Sequence, residues 1–296
     1  MENIKQNSIH AWFLAARPKT LTGAVIPVLV GSALAFADYS FHLIPALLCA
    51  CFACGMQIAA NFINDLYDYL KGTDREDRLG PERACAQGWI SAKAMKTGIA
   101  FTVALSCIFG CGLLFWGGWE LVILGAFCVV FAFLYTFFLS YQGLGDILVL
   151  IFFGFVPVSG TYYVQTHAIT IDVLIASLVC GLIINTLLVV NNYRDREQDA
   201  ISGKLTLIVR FGGKFGEYFY LCLGIIASIS CLYFIIENRL AAAILPQIYL
   251  LPHIITWQRM VKIKNGKKLN SILGETSRNM LLMGFLLSIG LILSTL

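Results

Sequence analysis

The sequence predicts an all-α, polytopic membrane protein with nine spanning helices in one bundle. Three observations predict it. First, 58% of the 296 residues are hydrophobic and only 13% are charged, whereas soluble domains run near 25% charged. Second, the chain divides into nine mostly apolar runs, each close to the roughly 20 residues that a spanning helix needs. Third, Lys and Arg fall almost wholly on one side when those runs are laid alternately through a membrane, which is the expected cytoplasmic bias.

The elements follow in order. Residues 1–19 read as a cytoplasmic segment, and the whole of 20–296 as a single bundle domain. Arg17 and Lys19 precede the first span, as interface anchors or as contacts for an anionic head group. Span one, 20–38, is not a cleavable secretory signal, because it follows "ARPKT" and is succeeded at once by further apolar runs. Span two, 42–68, is long enough to project past the bilayer. Its Gln57 and Asn61 are polar at a depth where polar groups face the bundle interior, lining a pocket or bonding between helices. Spans three to six occupy 95–116, 119–139, 145–164 and 171–191. Tyr135 ends span four, as an interfacial ring or as a shield for a cation. Spans seven to nine occupy 215–236, 240–257 and 280–295. Three connections are long and charged: 69–94, 192–214 and 258–279.

With this count the N-terminus and all three charged loops share one face, and Arg239 alone among the Lys and Arg residues lies on the other. The N-terminus and those loops are therefore expected in the cytoplasm and the C-terminus outside. The net charge of +4 is confined to loops. It suits anionic lipid head groups or an anionic substrate and requires no nucleic acid. Nine of the ten cysteines lie inside apolar runs, and Cys51 and Cys54 have no companion pair. They read as small packing residues.

The first two charged loops carry the chemistry. "NFINDLYDYLKGTDREDRLGPER" (61–83) and "NNYRDREQDAISGKLTLIVRFG" (191–212) each begin where an apolar run ends. Asn64 and Asp68 are four apart, as are Asp195 and Asp199, so each pair shares a face of a continuing helix. Gly72 permits a turn that would bring Asp74 back. The spacing of the clusters, four spans apart, suggests a pseudo-repeat of four helices. Gathering Asp68, Asp74, Asp195 and Asp199 is costly without cations, since neighbouring carboxylates resist joint ionisation. Mg2+ resolves that, because it prefers oxygen ligands and is completed by substrate phosphates. Asn64 and Asn192 would add neutral oxygens or position substrate. Asp65 reads equally as a base or as an orienter of its neighbours. Lys71, Arg75, Arg78, Lys204 and Arg210 lie in the same loops and are candidates to grip a diphosphate. The alternative is a pair of ordinary solvated loops, against which the matched clusters weigh.

"NDLYDYLKGTD" (64–74) and "RDREQD" (194–199) resemble the two Asn/Asp-rich motifs of the UbiA superfamily of intramembrane prenyltransferases. "RPKT", "GPER", "GLGD" and "GKLTL" narrow the resemblance to its naphthoate-prenylating branch, and similar stretches span nearly the whole chain. The resemblance implies a Mg2+-dependent transfer of a polyprenyl group from its diphosphate to 1,4-dihydroxy-2-naphthoate, with loss of pyrophosphate and CO2. It implies catalytic or metal roles for Asp68, Asp195 and their neighbours. One stretch departs from the pattern: "FFLSYQ" (137–142) is short and has Gln142 where the family carries a basic residue before GLGD. That loop bears on the acceptor, so 4-hydroxybenzoate and homogentisate remain alternatives. A transporter is the rival from another class, but its charged groups belong near the bilayer midplane, not at helix ends.

Overall fold

A computed structural model describes residues 4–72 and 78–295, without the side chains of Phe137 and Ser140. The described chain is helical throughout, with no strand. The helices are α1 (Ile9–Ala16), α2 (Thr22–Ala37), α3 (Leu43–Leu70), α4 (Ala92–Gly117), α5 (Glu120–Phe137), α6 (Gly145–Val149), α7 (Val156–Thr166) and α8 (Ile171–Ile201). They continue as α9 (Leu207–Phe211), α10 (Gly213–Cys231), α11 (Leu240–Ile244), α12 (Leu250–Ile263) and α13 (Leu269–Leu293). A π-helical segment, Leu150–Phe155, joins α6 to α7. All ten cysteines are free.

Among the described residues, seven helices are long and apolar enough to cross a membrane, or eight if α1 and α2, bent by 50°, form one broken span. The segment Glu120–Thr136 in α5 is apolar but shorter. The multi-pass reading holds, while the count rests on how α5 and the bent pair are read.

Helix α8 is the hub. Of its most apolar stretch, 72% is buried inside the protein, against 17% for α3 and for α4. It packs on α2, α7, α10, α13 and the π-segment. Its faces are therefore apolar all round, with Val173, Ala176, Val179, Cys180, Ile183 and Val190 in the main core. Helix α8 crosses the π-segment closely at Gly154 and Gly181. A Cβ on Gly154 would stand 2.5 Å from the Ser177 carbonyl oxygen, and one on Gly181 would stand 2.6 Å from Leu150 Cδ1. Small residues let helix backbones approach where lipid supplies no hydrophobic drive.

A second core sits at the end of the bundle that carries the charged loops. Ala11 and Ala15 of α1, Phe62, Ile63 and Leu66 of α3, Met95 of α4, and Ala84, Cys85 and Ile90 of the intervening loop close on one another. The expected cytoplasmic segment 1–19 thus contains a docked helix.

Two expected loops are shorter than the sequence suggests. Helix α8 runs on to Ile201, and α13 begins at Leu269 rather than at 280. The physical reason is the same in both. Arg194 and Asp199 in one, and Glu275 and Asn279 in the other, are buried polar residues on helix faces, so charge alone does not mark the end of a helix.

Candidate functional site at the charged end of the bundle

The two acidic motifs sit at the C-terminal ends of α3 and α8. Both helices overrun their apolar stretches, so their last turns lift Asn64, Asp65 and Asp68, and Asn192, Asp195 and Asp199, to one end of the bundle. Asn270 bridges the two motif regions, accepting from Arg194 and donating to the Leu79 carbonyl, and Tyr135 at the end of α5 lines a recess with Asp146 and Asn192.

In the first motif Asp68 Oδ2 accepts a hydrogen bond from Arg83 Nη2 at 2.6 Å. Asn64 Oδ1 accepts from Thr136 Oγ1 at 2.7 Å. Asp65 differs from both. It is buried, and its two oxygens accept the backbone N–H groups of Ala84 and Cys85, each at 2.9 Å. These two bonds hold the loop that carries Arg83, the part an orienter would play. Asp74 and Arg75 lie outside the described residues; Gly72 does take a left-handed φ of +67°.

In the second motif Asp195 receives the fork of Arg194, with Nε to Oδ1 at 2.7 Å and Nη2 to Oδ2 at 2.6 Å. Asp199 Oδ1 lies 3.5 Å from Lys204 Nζ. Asp199 Oδ2 is buried with no hydrogen-bond partner. Asn192 lines a small recess with Tyr135, Asp146, Leu188, Lys204 and Thr206.

The remaining candidates mostly shape the site. Lys71 Nζ stands 4.2 Å from the centre of the Tyr141 ring. Arg210 Nη2 donates to the Gln142 carbonyl at 2.9 Å, and Leu205 N donates to the Tyr141 carbonyl at 2.9 Å. The short loop ahead of GLGD is thus stitched to the second motif. Arg78 Nε donates to the Pro81 carbonyl at 3.1 Å. Arg17 has a left-handed φ of +51° and lies within reach of Asp65, Asp68, Arg78 and Arg83. Asn61 pins that kink, its Nδ2 donating to the Ala16 carbonyl and to Thr20 Oγ1, both at 2.9 Å. Asn61 thus ties α3 to the α1–α2 kink. Lys19 is exposed beside it.

The expected gathering of carboxylates is not seen as such. Among the described residues no three His, Cys, Asp or Glu side chains come together as a metal cage. The cause is visible: Arg83, Arg194 and Lys204 each take a carboxylate, and like charges keep apart. The donor set still fits Mg2+, being hard oxygens throughout, with Asp199 Oδ2 buried and unbonded. A fork on Asp195 occupies one lone pair on each oxygen, so acceptor capacity remains there.

The sequence reading passed over four residues now seen at the site: Arg83, Asp146, Arg194 and Asn270. Arg83 and Asp146 close the "GPER" and "GLGD" stretches, and that was the available signal. Asn270 gave none. A cavity of about 590 Å3 opens elsewhere, between α1 and the start of α4 beside Trp12, Phe62, Lys93 and Phe101. Charge, not cavity size, locates the site.

Residues 24–287 match the model of the UbiA prenyltransferase family. The chain is 35% identical over 297 aligned positions to a 1,4-dihydroxy-2-naphthoate octaprenyltransferase of Haemophilus influenzae, covering 96% of both chains. It is 37% identical to a protein of the same name from Escherichia coli, covering 75% of each. In fold it is similar to a UbiA homologue from Aeropyrum pernix, with a TM-score of 0.71 at 17% identity, over 95% of this chain and 99% of that one. It is also similar to a homologue from Archaeoglobus fulgidus bound to GPP and Mg2+, with a TM-score of 0.67 at 18% identity, over 94% and 99%.

Proposed function

The chain belongs to the UbiA prenyltransferase family, and on that premise we propose that it transfers a polyprenyl group from polyprenyl diphosphate to 1,4-dihydroxy-2-naphthoate. Pyrophosphate and CO2 leave, and demethylmenaquinone forms, a step of menaquinone biosynthesis. The observation that carries the chemistry is the joining of the two motif regions at one end of the bundle, where Asn270 accepts from Arg194 of the second and donates to the Leu79 carbonyl beyond the first. The acceptor reading is supported by the names of the relatives that align along the chain.

Asp68, Asp195 and Asp199, with Asn64, are the residues we assign to holding Mg2+, and Asp74 joins them from the sequence. Bound there, Mg2+ supplies charge stabilisation for the departing pyrophosphate. The protein's own cations add to it: Lys71, Arg78, Lys204 and Arg17 surround the acids and neutralise an anionic head group, with Lys19 at the membrane edge. Arg210 contributes by holding the Gln142 loop. Tyr135 lines the recess with Asp146 and Asn192, and the π-face of a tyrosine there would favour an allylic cation. Asn192 lines the recess beside it and positions the acceptor. Asp65 orients the Arg83 loop. The isoprenoid tail extends from this end into the apolar bundle. Counting α5 and the bent α1–α2 pair as spans gives nine, with the N-terminus and the site in the cytoplasm and the C-terminus outside.

The test is a product assay on purified protein with polyprenyl diphosphate, Mg2+ and several aromatic acceptors. Attack through the ring carbon that bears the carboxylate makes a non-aromatic intermediate, and loss of CO2 restores aromaticity. Carboxyl-labelled naphthoate should therefore release CO2 one for one with pyrophosphate. EDTA should stop turnover and Mg2+ restore it. Product that keeps its carboxylate, or a strong preference for 4-hydroxybenzoate, would reject the naphthoate reading and leave the family assignment standing.

A further inference from the structure

Arg194 is almost wholly buried, 3% exposed, within the second acidic motif. Its donors are committed inside the protein: Nε and Nη2 to the Asp195 carboxylate, and Nη1 to Asn270 Oδ1 at 2.8 Å. Asn270 lies in the first turn of α13 and belongs to the third charged connection. Its other end, Nδ2, donates to the Leu79 carbonyl at 2.8 Å, in the loop that follows the first motif. One amide therefore bridges the two motif regions. Gly80 completes the contact, since a Cβ there would stand 2.8 Å from Arg194 Nη2.

We propose that Asn270 and Arg194 form a positioning clamp that fixes Asp195, and through Leu79 fixes the 78–85 loop, so that the two halves of the metal site are held at a set separation. The proposal rests on the function proposed above. The chain of contacts runs Leu79 O, Asn270, Arg194, Asp195, and it also bears on Asp68. Arg83, the partner of Asp68, is four residues beyond Leu79 on the same loop, and Asp65 ties that loop down at Ala84 and Cys85. Each carboxylate is thus oriented by an arginine, and the amide of Asn270 couples the first arginine's loop to the second arginine. Such a clamp acts by orienting carboxylates before a cation arrives. Its loss therefore weakens cation binding more than it slows turnover once the cation is bound.

The experiment compares full-length wild type, Asn270→Ala and Gly80→Ala in detergent, with Asn279→Ala as a control in the same helix. Asn279 donates two buried hydrogen bonds, to Thr256 Oγ1 and the Pro252 carbonyl, and touches neither loop. Amide hydrogen exchange is read with no metal or substrate present, and the Mg2+ concentration for half-maximal turnover is read separately from kcat. Asn270→Ala and Gly80→Ala should speed exchange across 79–85 and raise the Mg2+ half-saturation about 10-fold or more, as for other groups that support metal ligands, with kcat at saturating Mg2+ little changed. Asn279→Ala should move neither. Unchanged exchange in both clamp variants overturns the proposal. So does faster exchange without a Mg2+ shift, or a loss confined to kcat. If wild type makes no prenylated naphthoate, the proposed acceptor fails, and the metal-free exchange comparison still decides the clamp.

Discussion

Asp65, Asp68 and Asp195 are all motif carboxylates, yet their surroundings give them different work. Asp65 spends both oxygens on backbone N–H groups, whereas Asp68 and Asp195 face basic side chains at the rim. Asp68→Asn and Asp195→Asn should each leave a folded protein whose turnover loss exceeds the roughly 10–100-fold cost of removing a group that only supports a metal ligand. Near-normal rates at saturating Mg2+ in both would remove the metal reading. Asp65→Asn should behave otherwise. It turns an NH2 group toward a buried N–H, and leaving such a donor without an acceptor costs about 1–3 kcal/mol, so the effect should appear as a lower thermal midpoint. A large activity loss at unchanged midpoint would restore Asp65 as a candidate base. The sequence shows that these acids matter together, because spacing of four on a helix is legible. It does not separate their roles, because that depends on a loop 19 residues away folding back onto α3.

Elements show the same division between local pattern and long-range contact. Apolar runs near 20 residues announce α3, α4, α8 and α10 with soft edges. The start of α13 is not announced, because Glu275 and Asn279 look like loop residues until their burial is known, and Asn270 until its bonds to Arg194 and Leu79 are. The broken α1–α2 pair is another case. Its kink places Arg17 in the left-handed region, a conformation that costs of order 1–3 kcal/mol for a residue other than glycine, and Asn61 from α3 braces it. Nothing between residues 9 and 37 foretells that partner. At the crossing of α8 with the π-segment, Gly154→Ala offers a sharp test. The added Cβ meets the Ser177 carbonyl at 2.5 Å, so the helices must separate, and overpacking of this kind typically costs about 1–3 kcal/mol. Thermal unfolding in detergent should show the loss. An unaltered midpoint would mean that the crossing yields easily and does not hold α8 in register.

At the scale of the whole molecule, the distribution of cations bears on which end faces the cytoplasm. On the nine-span reading proposed above, nearly every Lys and Arg falls on the side of the acid site. Arg239 is the exception, and its surroundings explain how it is tolerated at the other end. Its Nη2 donates to Asp38 at 2.5 Å, at the far end of α2. Its Nη1 lies 3.5 Å from Asp172, in the first turn of α8. Tyr162 donates to the same Asp38 at 2.5 Å, and Tyr233 donates to Asp172 at 3.2 Å. A cation neutralised in this way ties α2, α7 and α8 together and carries little free charge to oppose the cytoplasmic bias of the loops. The orientation proposed above puts Lys267 inside and Asn238 outside. Single cysteines at those two positions, Lys267→Cys and Asn238→Cys, in a background whose ten native cysteines are replaced, should report it directly. A membrane-impermeant maleimide added to intact cells should label the cysteine at 238 and spare the one at 267. Inverted vesicles should reverse the pattern. Labelling of position 267 in intact cells would place the acid site outside, where a substrate made in the cytoplasm would have to cross the membrane first, and it would overturn the orientation together with the positive-inside argument behind it.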